Sequence, residues 1–412
     1  MADYDVIVCG AGVGGLTLAA ALGQRGRRVL VVEKQRQAPP VHKGELLQPG
    51  SLHILRSLGV LDRLVADGAL TADRLSCRTA DGDEIGALDY RTLPGPFGHC
   101  MVHNYTAIKN AVAAGLTAEV RYGSRVDGLV RDAAGRVRGV RVTGADAGEE
   151  ITAALVVGAD GHASRVRVQT GIEVTREPYP HQLVGYDFPD PGLGPDIAAH
   201  LTADGLRLMF PMPGGRARLY AQAPTGEVRR AELGAWTDDM IARVPALAGV
   251  ADALRPTAHD AQVMSAWRFN ATTWVRPGAA LLGDAAHCVH PMAGQGMNAA
   301  IADAWALAGH LTDELTDAAV DLALERYDAD RRNAVHYVSR LSHNLATLFT
   351  DTSWRGRVVG RHMLRRNQHN RRLQSIITYN MSGLGVRRFT LRDRFVQFGL
   401  LRDREEAAVH AL

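Results

Sequence analysis

Three short stretches, far apart in the chain, set glycines and acids where a nucleotide can be held. The first is Gly10-Ala11-Gly12-Val13-Gly14-Gly15, with Glu33 downstream. In this G-x-G-x-x-G spacing Gly10 permits a tight turn, Gly12 lets backbone approach a pyrophosphate, and Gly15 lets a helix pack close on a strand. Glu33 can accept hydrogen bonds from ribose hydroxyls. The second stretch, Gly158-Ala159-Asp160-Gly161-His162-Ala163-Ser164-Arg165-Val166-Arg167, puts an acid in a turn before a helix. The third runs from Gly283 and Asp284 through His287, Cys288, His290 and Pro291 to Gly294-Gln295-Gly296-Met297-Asn298. There an acid follows a strand end, and a helix start offers unpaired N–H groups to an electron-rich ligand edge.

Each stretch needs a strand before it and a helix behind it. Apolar runs at 4–9, 29–32, 151–157 and 279–282 read as buried strands, and 16–24 and 299–311 as helices. The first two strands and their helix form a βαβ unit with an acid at its end, which predicts dinucleotide binding. A glycine-rich turn in an unrelated α/β fold is the plainer rival. Residues 46–58 read as a helix capped by Gly59, 75–93 as a hairpin turning at Asp81-Gly82, and 104–116 as a helix. The runs 139–142, 183–188, 197–202, 206–211 and 217–222 read as short strands; the last four, parted by Gly, Pro and Asp, predict an antiparallel sheet. Leu206, Leu208, Phe210 and Met212 share one face of it, either the sheet's core or a lid over an apolar ligand. A helix at 228–254, a strand near 263–269 and a charged helix at 321–342 follow.

The bulk composition sets limits. The 412 residues are 46% hydrophobic and 22% charged, ordinary for a globular chain long enough for a large core. A net charge of only +3 does not argue for nucleic acid, and none is expected as a partner. Cys9, Cys77, Cys100 and Cys288 fit no zinc spacing, so reduced thiols and no metal are expected. His287 and His290 are only a pair, suited to packing or hydrogen bonding. The N-terminus is acidic and runs straight into a strand, and no apolar run nears the ~20 residues of a membrane span, so a cytoplasmic location is expected.

The tail is basic. Between 354 and 392 stand ten arginines (355, 357, 361, 365, 366, 371, 372, 387, 388 and 392) and no acid. Either they dock on the chain's own acids, Asp313, Glu314, Asp317, Asp321, Glu325, Asp328 and Asp330, or they touch an anionic lipid surface.

Taken in order, GAGVGG with Glu33, GADGHASRVR and GDAAHCVHPMAGQGMN resemble the single-component FAD-dependent aromatic hydroxylases, typified by para-hydroxybenzoate hydroxylase and the ubiquinone-biosynthesis hydroxylases. The resemblance covers most of residues 1–345. It implies an α/β fold: a Rossmann-like FAD-binding domain of the GR2 type at 1–74, 98–174 and 265–345, an inserted antiparallel sheet domain for substrate at 75–97 and 175–264, and a C-terminal basic helical segment at 346–412. FAD would be held by Gly10, Gly12, Gly14, Gly15, Glu33, Lys43, Asp160, Arg167, Gly283, Asp284, Pro291, Gly294, Gly296, Met297 and Asn298. Of these, Pro291, Gly296 and Met297 would border the reacting ring. Lys43 and the His103-Asn104-Tyr105 segment stand where the family usually has arginines.

The implied reaction uses NADH or NADPH as a transient donor and O2. A flavin C4a-hydroperoxide then hydroxylates a hydrophobic aromatic or polyketide-like substrate. Tyr186, His200, Phe210, Met212 and Tyr220 are the candidates for its pocket. An alkene epoxidase and a flavin reductase of the geranylgeranyl-reductase type are the rivals. A non-catalytic lipid carrier on the same fold is a third, but it would not need Glu33, Asp160 and Asp284.

Overall fold

The computed structural model describes residues 2–37, 45–144, 148–291 and 294–401. Its first sheet sets Val275–Arg276, Ala279–Leu281, Glu149–Gly158, Tyr4–Cys9, Val29–Glu33 and Glu119–Tyr122 side by side, with Val137–Thr143 and Arg125–Arg131 extending it from Glu149–Gly158. From Ala279–Leu281 to Glu119–Tyr122 neighbouring strands are parallel. Except in the edge strand Glu119–Tyr122, their valines, leucines and isoleucines are buried on both faces, as a parallel sheet requires. Cys9 pairs with Gly158 and Gly158 with Leu281, so the three glycine- and acid-bearing stretches leave the sheet from one row. Helices Val13–Gly23 and Gly296–His310 pack together behind that row.

The second sheet runs His287–Cys288, Gln262–Asn270, Glu177–Pro189, Arg216–Pro224, Gly205–Met212, Ile197–Thr202, Arg74–Thr79 and Glu84–Asp89. It is antiparallel except where Ile197–Thr202 meets Arg74–Thr79. Its first strand belongs to the third stretch, which therefore bridges the two sheets. Strand alternation gives this sheet two faces. Val184, Tyr186, Phe188 and Leu219 point back into a core with helix Leu233–Arg243. Leu208, Phe210 and Tyr220 point forward.

Three expectations change. Residues 46–58 split into strand Leu46–Leu47 and helix Pro49–Ser57, because Pro49 lacks an N–H and starts a helix better than it continues one. The helix expected at 228–254 breaks at Pro245 into Leu233–Arg243 and short turns of 3-10 and α-helix. The strand Gln262–Asn270 carries the second sheet past residue 264.

Beyond Asp317–Thr350 lie helices Trp354–Gln368, Arg371–Met381 and Leu391–Gln397. Five of the seven acids expected to receive the tail arginines pair elsewhere: Asp313 with Arg27, Asp317 and Asp321 with Arg136, Asp317 also with Arg138, Asp328 with Arg332 and Asp330 with His310. Asp317 and Asp321 open the long helix, where Arg136 and Arg138 beside and on strand Val137–Thr143 reach them first.

A buried acid holds the third stretch in place. Asp303 accepts from the Gly283 N–H at 3.0 Å, His287 Nε2 at 2.6 Å and Arg331 Nε at 2.9 Å. Burial pushes its carboxyl up, but His287, Arg331 and these hydrogen bonds outweigh that and hold it below the ordinary range. A depressed carboxylate stabilises the fold above pH ~4, and that contribution is lost as pH falls through its lower native value. Asp303→Ala strands a buried histidine and a largely buried arginine. It should cost about 3–5 kcal/mol of unfolding free energy, read by denaturant titration.

Candidate active site

Between the row of strand ends and the front face of the second sheet lies a cavity of about 500 Å³. Gly12, Gly14, Gly15, Gly283, Asp284, Pro291, Gly294, Gly296 and Met297 line one side of it, with Ala159, Gly161 and His162 from the second stretch. Leu183, Ile197, Leu208, Phe210, Tyr220, Met264 and Trp267 line the other. One wall is therefore glycine and backbone, and the other is apolar side chains.

The glycine loop is tight where the fold needs it and bare where a ligand would lie. A Cβ on Gly15 would stand 2.1 Å from the Gly10 carbonyl oxygen. One on Gly12 would meet only the Tyr105 hydroxyl, at 3.4 Å. The Val13 N–H, in the first turn of helix Val13–Gly23, donates to that same hydroxyl at 3.4 Å. These are the features of an anion cradle: glycine backbone lining a cavity at the positive end of a helix.

Several of the expected ligands stand one layer behind this wall. Glu33 is half-buried and accepts from the N–H groups of Ala11 and Gln35 at 2.8 and 2.9 Å, so it braces the loop as well as ending the strand. Asp160 accepts from the N–H groups of Arg165 and Val166 at 2.7 and 3.2 Å, and burial pushes its carboxyl up. Arg167 donates to the carbonyls of His162 and Ala285, both at 2.8 Å, and so clamps the second stretch to the third. Asn298 accepts from the Gln48 N–H at 2.8 Å and donates to the carbonyls of Leu46 and Gly294. Lys43 lies outside the described residues.

The five substrate candidates divide by strand parity. Phe210 and Tyr220 line the cavity. Met212 is on the same face but packs with Ala72, Val102 and Ile197 behind Phe210. Tyr186 and His200 do not reach the cavity, which corrects the expectation. Tyr186 is on the back face, where its hydroxyl meets Thr237 at 2.8 Å. His200 is buried with its Nδ1 at 3.3 Å from the Thr79 carbonyl oxygen.

The histidines of the third stretch separate. His287 goes to Asp303, whereas His290 Nε2 meets His181 Nε2 at 2.8 Å, beside Tyr179. Burial, with His181 and His343 nearby, pushes His290 down to about 3, so it is neutral. Cys288 borders the cavity.

Three further residues shape the site. Tyr105 occupies the cavity end of the glycine loop, at the position where the family resemblance leads one to expect arginine. Glu45 is buried in the cavity wall, and Arg218 faces it at 2.6 Å. The Tyr220 hydroxyl donates to the other Glu45 oxygen at 2.6 Å. Arg218 also reaches Asp187 at 3.1 Å. The alternation Arg216, Arg218, Tyr220 carried a signal for this cluster; the distant Glu45 did not.

The model of the FAD binding domain family matches residues 3–342. The 6-methylpretetramide 4-monooxygenase of Streptomyces rimosus is 32% identical over 326 residues, 74% of this chain and 74% of that protein. The 3-demethoxyubiquinol 3-hydroxylase of Escherichia coli K12 is 30% identical over 315 residues, 74% of this chain and 78% of that protein. Among solved structures, PqsL of Pseudomonas aeruginosa in complex with 2-aminobenzoylacetate superposes with a TM-score of 0.75 at 30% identity, covering 85% of this chain and 97% of that one.

Two substitutions separate loop geometry from ligand contact. Gly15→Ala forces the glycine loop open, and both bound FAD and thermal stability should fall. Asp284→Ala removes a half-exposed acid of the cavity wall; FAD should be lost with the melting temperature of the apoprotein unchanged. Flavin absorbance and thermal melts read both; full occupancy in Asp284→Ala would remove that residue from the site.

Proposed function

The chain belongs to the FAD binding domain family, and on that premise we propose that it hydroxylates a hydrophobic aromatic or polyketide-like small molecule that carries a ring hydroxyl. It is an FAD-dependent monooxygenase. Bound FAD supplies the redox chemistry, taking electrons from NADH or NADPH and activating O2 for transfer of one oxygen atom. The residues that would hold it are the amides of Gly12 to Gly15 at the pyrophosphate, Asp284 at a sugar-like hydroxyl chain, and the helix start at Gly296 and Met297 at the electron-rich edge. Tyr105 in place of an arginine makes this grip one of amides and a phenol rather than a guanidinium.

The observation that carries the substrate reading is the Arg218–Glu45–Tyr220 cluster in an otherwise apolar wall. The Tyr220 proton is committed to Glu45, so its oxygen is presented as an acceptor. A substrate hydroxyl would donate to it, which orients the ring and enriches its electron density. Burial raises the Glu45 carboxyl, while Arg218 and Tyr220 act to keep it ionised. The surrounding Leu183, Ile197, Leu208 and Phe210 exclude water from the reacting ring.

The test is NADH and NADPH oxidation across a panel of phenols and polyketides, with product masses. A gain of one oxygen is expected. A gain of two hydrogens without oxygen would instead support a reductase. Tyr220→Phe should raise KM for hydroxylated rings about threefold to tenfold, the worth of one hydrogen bond, and leave FAD content unchanged.

The same reading gives the tail a surface role. Among the described residues no helix is long and apolar enough to cross a membrane. Helix Trp354–Gln368 exposes Trp354, Val358 and Val359 beside Arg355, Arg361 and Arg365; Leu391 and Phe395 are exposed on helix Leu391–Gln397, which packs against it, and Phe398 is exposed at that helix's C-cap. An apolar patch edged by arginine suits the face of an anionic membrane, reached from the cytoplasm. Co-sedimentation with phosphatidylserine vesicles, weakened by salt and by about fivefold for each of Arg361→Glu and Arg365→Glu, is expected. No binding retires this role.

A further inference from the structure

A second cavity, of about 70 Å³, lies on the same face of the second sheet. Cys77 and Ala199 form its floor, and Leu348 and Phe349 of the long helix with Leu364 and Ile377 of the two helices after it close it. Its polar side chains among the described residues are Asn367, Gln368 and Gln374, and the Gln374 amide is turned onto the Ala87 carbonyl oxygen at 3.2 Å. Leu75 and Leu208 border both cavities. In the sheet Leu75 pairs with Ile197 of the first cavity, and Leu208 pairs with Ala199 of the second. One uninterrupted apolar strip therefore runs from the wall beside Tyr220 to the space under the tail. Leu75 and Leu208, which line both spaces, are half-buried.

Empty apolar space destabilises a fold in proportion to its volume, and it stays dry and accepts apolar guests. We infer that the second cavity receives an aliphatic chain attached to the ring held in the first, with Leu75 and Leu208 turning aside to admit it. The substrate is then an amphiphile: a hydroxylated ring at Tyr220 and Glu45, and an alkyl or prenyl chain of several carbons pointing under the tail helices. This rests on the aromatic hydroxylation proposed above and narrows its substrate class. Helix Trp354–Gln368 supports the same direction. It turns Leu364 and Asn367 into the chamber and Trp354 and Val358 to the outside, so the chain would end one helix away from the exposed apolar patch.

The experiment titrates the holoenzyme with 4-alkylphenols from methyl to nonyl, following the flavin absorbance, and measures product by mass. Affinity should rise roughly fourfold with each added methylene over the first several carbons, then level off. Ala199→Phe fills the second cavity from its floor; in that variant the methyl and nonyl members should bind within about threefold of each other. Leu364→Ala enlarges the cavity and should move the plateau to longer chains, which keeps the test open if Ala199→Phe fails to fold. A flat wild-type series overturns the inference, as does a chain-length gain that survives Ala199→Phe. A chain-length gain without any hydroxylated product would support the chamber and overturn the aromatic hydroxylation. Binding of no phenol at all would overturn both.

Discussion

Three parallel strands end in one row, and the rest of the molecule depends on that register. Cys9, Gly158 and Leu281 stand side by side. Each is followed by a turn that must pass its neighbour at close range. A Cβ on Gly158 would meet side-chain atoms of Leu281 and Val166 at 2.8 Å, so the helices can come forward only over glycine. The crevice outside the carboxyl ends of such strands is where α/β sheets bind their ligands. Here it is enclosed because the third turn does not stop at the crevice: it runs on as His287–Cys288 and pairs with Phe269 and Asn270 of the second sheet. One loop both presents Asp284 and fixes the distance between cofactor wall and substrate wall. That explains why Asp303, His287 and Arg331 lie buried beneath it, a charged cluster in a core that would otherwise be apolar.

The second sheet works through parity. Its back face is a hydrophobic core with helix Leu233–Arg243, and that side is ordinary packing. Its front face is mixed. Burying Glu45 and Arg218 together costs desolvation that their attraction barely repays, so stability alone is a weak reason for the pair. Its geometry offers a better one. Arg218 holds Glu45, Glu45 takes the Tyr220 proton, and a rigid acceptor is left in a wall of leucine and phenylalanine. A lone tyrosine there would rotate its hydroxyl to suit any guest; a tyrosine with a committed proton discriminates.

What could be read from the residues follows from range. The glycine and acid stretches are local, and strand, turn and helix around them show as short apolar runs and breaks. The antiparallel strands showed through alternation and turn residues. Alternation could not say which face was which, because both faces of Glu177–Pro189 are buried: Val184 and Tyr186 pack behind, Leu183 and Gly185 in front. Tyr186 was thus as good a candidate as Tyr220 until the sheet had a front. Glu45 reaches the site over a separation that no local pattern encodes, whereas Tyr105 was legible through the family resemblance alone. The ion pairs of Asp317 and Asp321 were hidden for the same reason. Their charges suited the tail, but Arg136 and Arg138 on the neighbouring sheet were nearer.

The tail joins the second cavity to the protein's basic outer face. A helix with arginines on its surface and no acids has no electrostatic reason to dock on a chain whose nearby acids are already paired. It is held instead by apolar contact: Leu364 meets the second sheet, and Gly360 lets the helix approach Leu348 of the long helix. That contact also forms the wall of the second cavity. The sealing of the apolar strip and the display of the basic, apolar outer face are therefore properties of one helix. Any movement that lifts Trp354–Gln368 toward a lipid surface opens the space behind it, and any guest behind it presses on the same side chains. A tail that merely solubilised the protein would have no need of tryptophan and valine outside or of a cavity inside. A tail that, as proposed, rests on a lipid face and closes a substrate chamber needs both.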